Sequence, residues 1–353
     1  MDKLRFLWLI PALLLLLCVQ SYVCEGNSQD ISSSEVLVEE KITGVNFTGP
    51  SKVLTENPFG SYEEVGAEWT SVIPYGFSHV GNPKVNYNIE WQWWGERKAG
   101  VVQLIAYAKE KGLKVMLKPQ VWVINQGWPG EYTFNGSKTK WREWGESYEE
   151  YIMSMAHIAD SMDVELFCIA TEYKMAVKEY PSYWPKLIEK VRAIYDGELT
   201  YAANWDSYEA VKFWDKLDYI GVDAYFPLDD AKTPSVETLE KAWRRPASSI
   251  YTCHKKYKKP VLFTEYGYMS ADYSTWKHWE INEDGLNTIP NMQVQVNGYE
   301  ALYRTFWDKP WFAGGFLWKW HHYHDKAGGE THKSFTPQNK PVTKTIKAWY
   351  TKP

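Results

Sequence analysis

Beyond residue 40 the chain alternates between apolar runs of strand length and stretches with helical periodicity. The runs Thr43–Phe47, Trp69–Pro74, Lys114–Val121, Glu165–Thr171, Leu199–Ala203, Tyr219–Ala224, Val261–Glu265 and Gly314–Trp318 read as eight strands. Over Gly95–Lys111, apolar residues at Val101, Val102, Leu104, Ile105 and Ala108 form one helical face, and Gly112 stops it. Further helices are predicted over Trp144–Met162, Pro181–Tyr195, Ser207–Trp214, Val236–Tyr257, Met292–Trp307 and Val342–Tyr350. Strands that are apolar along their whole length suit a parallel sheet covered on both faces. Repeated β/α units without a composition shift predict an α/β fold, a single (β/α)8 TIM barrel. Two smaller doubly wound domains are the alternative.

The connections are unequal. Stretches before strands are short, as at Glu110-Lys111-Gly112 and Lys258-Lys259-Pro260. Stretches after the second, third, seventh and eighth strands are long, and in a barrel these loops build the active-site face. The chain has 20 Trp, 25 Tyr and 13 Phe, 16% of its residues, about twice a usual share. Many fall in those loops: Trp91, Trp93, Trp94, Trp122, Trp128, Trp276, Trp279, Trp320 and Tyr323. Indoles mixed with Asn, Gln, Asp and His suit sugars, whose apolar ring faces stack while their hydroxyls hydrogen-bond. Packing of the loops on themselves is the competing explanation.

Length and charge narrow the rest. A chain of 353 residues buries a core without disulfides or metal. A net charge of -5 argues against a nucleic-acid partner. No GxGxxG or GxxxxGK[ST] is present, so nothing supports nucleotide binding. Residues 1–24 read as a signal peptide: Lys3 and Arg5, then an apolar run from Leu7 to Val19, too short for a comfortable membrane span. Residues 25–40 read as a polar linker and 41–353 as the barrel domain. Cys24 also fits the lipidated first residue of a lipoprotein. Simple secretion is favoured, because Ser21-Tyr22-Val23 lacks the usual small residue. Localisation is thus expected outside the cytoplasm, with membrane contact only through such an anchor. Cys168 and Cys253 are expected as buried free thiols. Asn46-Phe47-Thr48 and Asn135-Gly136-Ser137 are glycosylation sequons that matter only in a eukaryotic host.

Two carboxylates stand out. Glu172 directly follows the apolar run Phe167–Thr171, and Glu265 ends the run Val261–Thr264. A carboxylate at a buried strand end is costly unless paired or used. Glycoside hydrolysis requires two carboxyl groups flanking the scissile bond, about 5–5.5 Å apart in retaining enzymes. Asp223 ends the sixth strand, and Asn204 and Asp206 end the fifth; these are expected to bind rather than react. His321, His322, His324 and His332 lack the spacing of a metal motif, so no metal is expected.

With these residues the chain resembles the retaining (β/α)8 glycoside hydrolases of clan GH-A, and more narrowly glycoside hydrolase family 113, the barrel-type β-1,4-mannanases. The resemblance runs over about residues 41–352 and is carried by the order of LKPQVWV (117–123), SYEEYIMSMAHIADSMDVELFCIATE (147–172), LTYAANWD (199–206), WDKLDYIGVDAYFPLDD (214–230), KPVLFTEYGY (259–268), GGFLWKW (314–320) and NKPVTKTIKAWY (339–350). It implies Glu172 as general acid/base and Glu265 as nucleophile. It implies Trp318 as an aromatic platform under the sugar at the cleavage point and Tyr225 as a hydroxyl bordering the nucleophile. Lys118 aligns with a substrate-binding position. Many clan members carry Asn immediately before the acid/base; here the residue is Thr171, which leaves open how the sugar 2-hydroxyl is held.

The activity expected is retaining hydrolysis of β-1,4-linked mannan-type polysaccharide by double displacement, without a cofactor, by a monomer. Expected sugar contacts are Trp318, Tyr225, Asn204, Asp223, Lys118, Trp128, Trp94 and Trp320. Trp91, Trp93, Trp94 and Trp128 lie far along their loops, so they are expected to reach only distant sugars or to pack the loops themselves. The alternatives are a retaining β-glycosidase of other specificity and a non-catalytic glycan-binding protein on the same barrel.

Overall fold

The computed structural model describes residues 38–281 and 289–352. The expected export segment and nearly all of the linker lie outside the described residues. Eight parallel strands close a barrel in the order β1 (Ile42–Phe47), β2 (Trp69–Val72), β4 (Lys114–Leu117), β6 (Leu166–Thr171), β7 (Glu198–Asn204), β8 (Ile220–Asp223), β9 (Val261–Tyr266) and β10 (Phe312–Trp320), and β10 pairs with β1. Two further strands, β3 (Tyr75–His79) and β5 (Gln120–Ile124), form a small parallel sheet of their own. The helices are α1 (Lys98–Glu110), α2 (Lys138–Ser161), α3 (Lys174–Glu179), α4 (Tyr183–Arg192), α5 (Val236–Tyr257), α6 (Met292–Phe306) and α7 (Val342–Tyr350).

Several elements depart from the sequence reading. The expected strands Trp69–Pro74 and Lys114–Val121 each divide at a proline. Pro74 and Pro119 cannot donate to a ladder, so both chains leave the barrel together and pair again as β3 and β5. Lys118 N donates to Val72 O and Gln120 N to Pro74 O at the crossing. The expected helix Ser207–Trp214 is two short 3-10 turns, Tyr208–Ala210 and Trp214–Lys216. Tyr208, Val211, Phe213 and Trp214 are all buried, a spacing that one helical face cannot satisfy. The Trp214 indole also takes the Tyr208 carbonyl, at 3.0 Å. Finally, α2 begins six residues before its expected start, at Lys138, with Ser137 as its N-cap.

The aromatic excess is divided between core and loops. Trp141, Trp144, Trp184, Trp214, Trp243 and Trp320 are fully buried. Trp144 packs against Tyr148, Tyr173, Tyr183 and Trp184 where α2 and α4 cover the barrel. Such rings bury large areas and fill the layer between strands and helices. Inside the barrel, Ile42, Trp69, Met116, Leu166, Cys168, Leu262 and Phe316 form a separate apolar layer. That layer seals one end and leaves the strand C-termini to shape the other. Cys168 and Cys253 are buried and unpaired. Asn46 is buried, with Nδ2 donating to Thr264 O at 3.1 Å and Phe316 O at 3.0 Å, so its sequon is closed to modification.

Candidate active site

β6 stops at Thr171, and Glu172 takes a left-handed backbone with φ +57°. A non-glycine residue held there is strained, and such strain concentrates at functional sites. The Glu172 N–H donates to Ala202 O at 2.7 Å, which fixes the turn between β6 and α3. Its carboxylate Oε2 accepts the Trp128 indole N–H at 2.7 Å. Burial pushes the Glu172 carboxyl well above the usual carboxylate range, and the charges of Asp223 and Glu265 add to that. Lys118 and the Trp128 hydrogen bond act in the opposite direction. The result is a carboxyl group biased toward its protonated form.

Glu265 sits near the end of β9, paired in register with Asp223 at the end of β8. Its carboxylate is buried and held by three donors. Oε1 accepts from Lys118 Nζ and from Gln120 Nε2 (2.9 Å); Oε2 accepts from Tyr225 OH at 2.9 Å. These donors fix its orientation. Two residues on, Gly267 lies so close to Trp318 O that a Cβ there would sit 2.7 Å from it. Only glycine lets β9 and β10 approach this way beside Glu265.

Both glutamates line one cavity of about 600 Å3, with Tyr75, Gln120, Trp122, Trp128, Thr171, Tyr225, His278, Trp318 and Phe335. Its walls are mainly aromatic, its floor carboxylate. Burial lowers the His278 imidazole to about 4, so it is neutral across the physiological range. Tyr75, Trp122 and Trp318 are shared with a second cavity of about 460 Å3, lined further by Phe77, Trp91, Trp93, Gln92 and Glu96. Burial raises the Glu96 carboxyl to about 7, with the Gln92 hydrogen bond opposing. The two spaces form an aromatic cleft across the strand C-termini, as the long loops imply.

The structure brings Glu172, Glu265, Tyr225, Trp318 and Trp128 together. It moves the other expected contacts elsewhere. Trp128 does not reach only distant sugars, because the hydrogen bond to Glu172 places it at the centre. Trp320 is fully buried, donating its indole N–H to Ser61 Oγ at 2.9 Å and packing on Tyr62. It is core because the register of β10 against β1 shifts between Trp318 and Trp320, so two residues that regular alternation would put on one face have different surroundings. Trp94 packs against the core and does not line either cavity. Asn204 donates to Asp206 Oδ1 at 3.0 Å and does not line them either. Lys118 and Asp223 are fully buried. They lie beneath Glu265, out of reach of a sugar: Lys118 Nζ is 3.6 Å from Asp223 Oδ1, and Thr264 Oγ1 donates to the same oxygen at 2.7 Å.

Gln120, Tyr75 and His278 are cleft residues that the sequence reading did not select, whereas Trp122 lines the cleft as its place among the loop tryptophans suggests. Gln120 had a signal, a lone amide after the apolar run and Pro119. The histidines after β10 tie their loop down: His321 bonds Thr48, His324 lies 2.8 Å from Glu64, and His332 bonds Ser334. Among the described residues, no group of three or more His, Cys, Asp or Glu is placed to hold a metal ion.

A barrel of this topology with two glutamates at the ends of β6 and β9 in an aromatic cleft has the layout of a glycoside hydrolase. The Glycoside Hydrolase Family 113 profile matches residues 55–340, and the chain belongs to that family. Among solved structures, a complex of a GH113 β-1,4-mannanase is 28% identical with a TM-score of 0.77, covering 89% of this chain and 100% of that one. The GH113 β-mannanase AaManA from Alicyclobacillus acidocaldarius, in complex with ManMIm, is 25% identical with a TM-score of 0.76, covering 88% and 97%. The β-glucuronidase of Ruminococcus gnavus, 14% identical with a TM-score of 0.60, covers 89% of this chain and 50% of its own and shares the fold. No curated protein matches the chain.

Proposed function

We propose that this protein is a retaining β-1,4-mannanase, with Glu172 as general acid/base and Glu265 as nucleophile. The observation that carries the reading is the contrast between two glutamates in one cavity. Glu172 is pushed toward its protonated form by burial and neighbouring charge. Glu265 is held by an ammonium, an amide and a phenol. A carboxyl group pushed toward its protonated form beside one oriented by three donors fits the roles of acid and nucleophile. In the first displacement Glu265 attacks the anomeric carbon, the glycosidic bond breaks, and the leaving oxygen takes the Glu172 proton. In the second, Glu172 accepts a proton from water, which displaces Glu265 and keeps the original anomeric configuration. Trp318 lines both cavities and is placed to stack on the sugar being cleaved.

Mannan is favoured as substrate by family membership and by the mannanases among the structural neighbours. The presence of both carboxylates supports turnover over simple glycan binding. Lys3 and Arg5 followed by Leu7–Val19 support export, with secretion or a lipid at Cys24 as its forms. Incubation with mannan, glucomannan, cellulose and xylan, followed by sizing of the products, tests the specificity. Release of manno-oligosaccharides from mannan and glucomannan, with cellulose and xylan untouched, is expected. Preferential release from cellulose or xylan would contradict it.

A further inference from the structure

The two displacements leave one buried group without a task. Asp223 is fully enclosed at the end of β8, cannot touch a sugar, and keeps Oδ2 without a hydrogen-bond partner. Its Oδ1 faces Lys118 Nζ at 3.6 Å, and the same ammonium donates to Glu265 Oε1. Lys118 is equally enclosed, so its charge depends on these two carboxylates; removing the partner of a buried charge is strongly unfavourable.

The first displacement removes one of them. A Glu265 oxygen forms a bond to the anomeric carbon, the bond to the leaving oxygen breaks, and that oxygen takes the Glu172 proton. Glu265 becomes a neutral ester while Lys118 stays buried and charged. We propose that Asp223 is the reserve counter-ion of Lys118, a positioning residue that keeps the ammonium paired while Glu265 carries the sugar. The inference rests on the double-displacement reading above. Without a carboxyl group at Asp223 to ionise, Lys118 would be left unpaired once the ester formed. This slows ester formation. Hydrolysis of the ester restores the Glu265 charge, so it is not slowed by the same change.

The electrostatics around Asp223 agree with that role. Burial first, and then the Glu265 charge, push its carboxyl up to about 8, while Lys118 and Thr264 pull it down. Glu172, Cys168, Tyr201 and Tyr225 are the other titratable groups that face it. Esterification of Glu265 removes one push and leaves the Lys118 pull. Asp223 therefore ionises at lower pH in the glycosyl-enzyme than in the free enzyme, any proton it carried passing to bulk water.

Stopped-flow kinetics of full-length Asp223→Asn on 2,4-dinitrophenyl β-mannoside tests this, with folding checked by thermal melting. The rate of ester formation, read as kcat/KM and as the burst rate, is expected to fall at least tenfold, with a smaller fall in kcat. A folded variant with unchanged kcat/KM, or with kcat and kcat/KM lowered equally, overturns the role of Asp223. Absence of turnover by the wild type on any mannoside overturns instead the functional reading on which it rests. If the variant folds poorly, the wild type trapped with 2-deoxy-2-fluoromannosyl fluoride serves. Carboxyl 13C NMR of Asp-labelled protein is expected to show Asp223 titrating at lower pH in the trapped form; an unchanged or higher value overturns the proposal.

Discussion

The Trp128 indole N–H lies 2.7 Å from Glu172 Oε2, so a loop tryptophan contacts the carboxyl proposed to deliver the proton. This donor favours the ionised form, in opposition to burial and the charges of Asp223 and Glu265. Its removal therefore raises the Glu172 pKa further. Activity that needs protonated Glu172 is lost as pH rises through that value. Trp128→Phe is expected to move the alkaline limb of the kcat/KM profile to higher pH, and Trp128→Ala to do the same with weaker sugar binding. A profile unmoved in both variants would show that the hydrogen bond does not act on the proton donor.

The same environment places a stability cost on Glu172. Its folded pKa is raised above the ~4.3 of a free glutamate, so the folded state binds the proton more tightly than the unfolded state. Below about pH 4 both states are protonated and nothing is lost. As pH rises above that value, the unfolded state gains from ionising and the folded state becomes relatively less stable. Glu172→Gln removes this penalty. The difference in Tm between variant and wild type is expected to be small at pH 4 and to grow in favour of the variant toward neutrality.

Glu172→Ala separates the two displacements. On substrates with poor leaving groups it is expected to lower the rate by about 10²–10⁴-fold, the usual contribution of a general acid. Aryl glycosides with activated leaving groups need little protonation and should lose far less in ester formation. Azide is expected to restore turnover of these substrates and yield the β-glycosyl azide. An α-azide would show that the two roles are wrongly paired.

The tryptophans divide by environment. Trp91 and Trp93 are largely exposed in the second cavity, whereas Trp320 is enclosed in core. Trp91→Ala or Trp93→Ala is expected to weaken only long manno-oligosaccharides, by about 1–3 kcal/mol if sugar stacking resembles stacking of other rings. Trp318→Ala should lower kcat/KM on every chain length. Trp320→Ala should destabilise the fold by about 3–5 kcal/mol, as for other buried aromatic truncations. Kinetics on mannobiose through mannohexaose, set beside thermal melts, distinguish the three classes.

The barrel strands were legible because each is a continuous apolar run, and continuity is what burial on both faces requires. The glutamates were legible because each interrupts such a run at its C-terminal end. β3 and β5 were hidden by Pro74 and Pro119, which end barrel pairing while the apolar pattern continues into new strands. The helix expected over Ser207–Trp214 failed because its four apolar residues all reach core without sharing a helical face. The positions of Lys118, Asp223 and Trp128 depend on contacts between residues far apart in the chain. A buried lysine beneath two carboxylates has the same sequence pattern as an open one, and a loop tryptophan shows its partner only when the loop is folded. Trp318 and Trp320 read alike by spacing, and only their surroundings separate cleft from core.

Trapping of the covalent intermediate tests the central claim most directly. The wild-type enzyme is treated with 2-deoxy-2-fluoro-β-mannosyl fluoride, digested, and the labelled peptide located by mass spectrometry. The account predicts one fluoromannosyl group, on the peptide containing Thr264-Glu265-Tyr266, with Glu265→Gln folded but unlabelled and inactive. A label on Glu172 or another residue, or mannan turnover by an enzyme that inverts the anomeric centre and forms no covalent adduct, would contradict it.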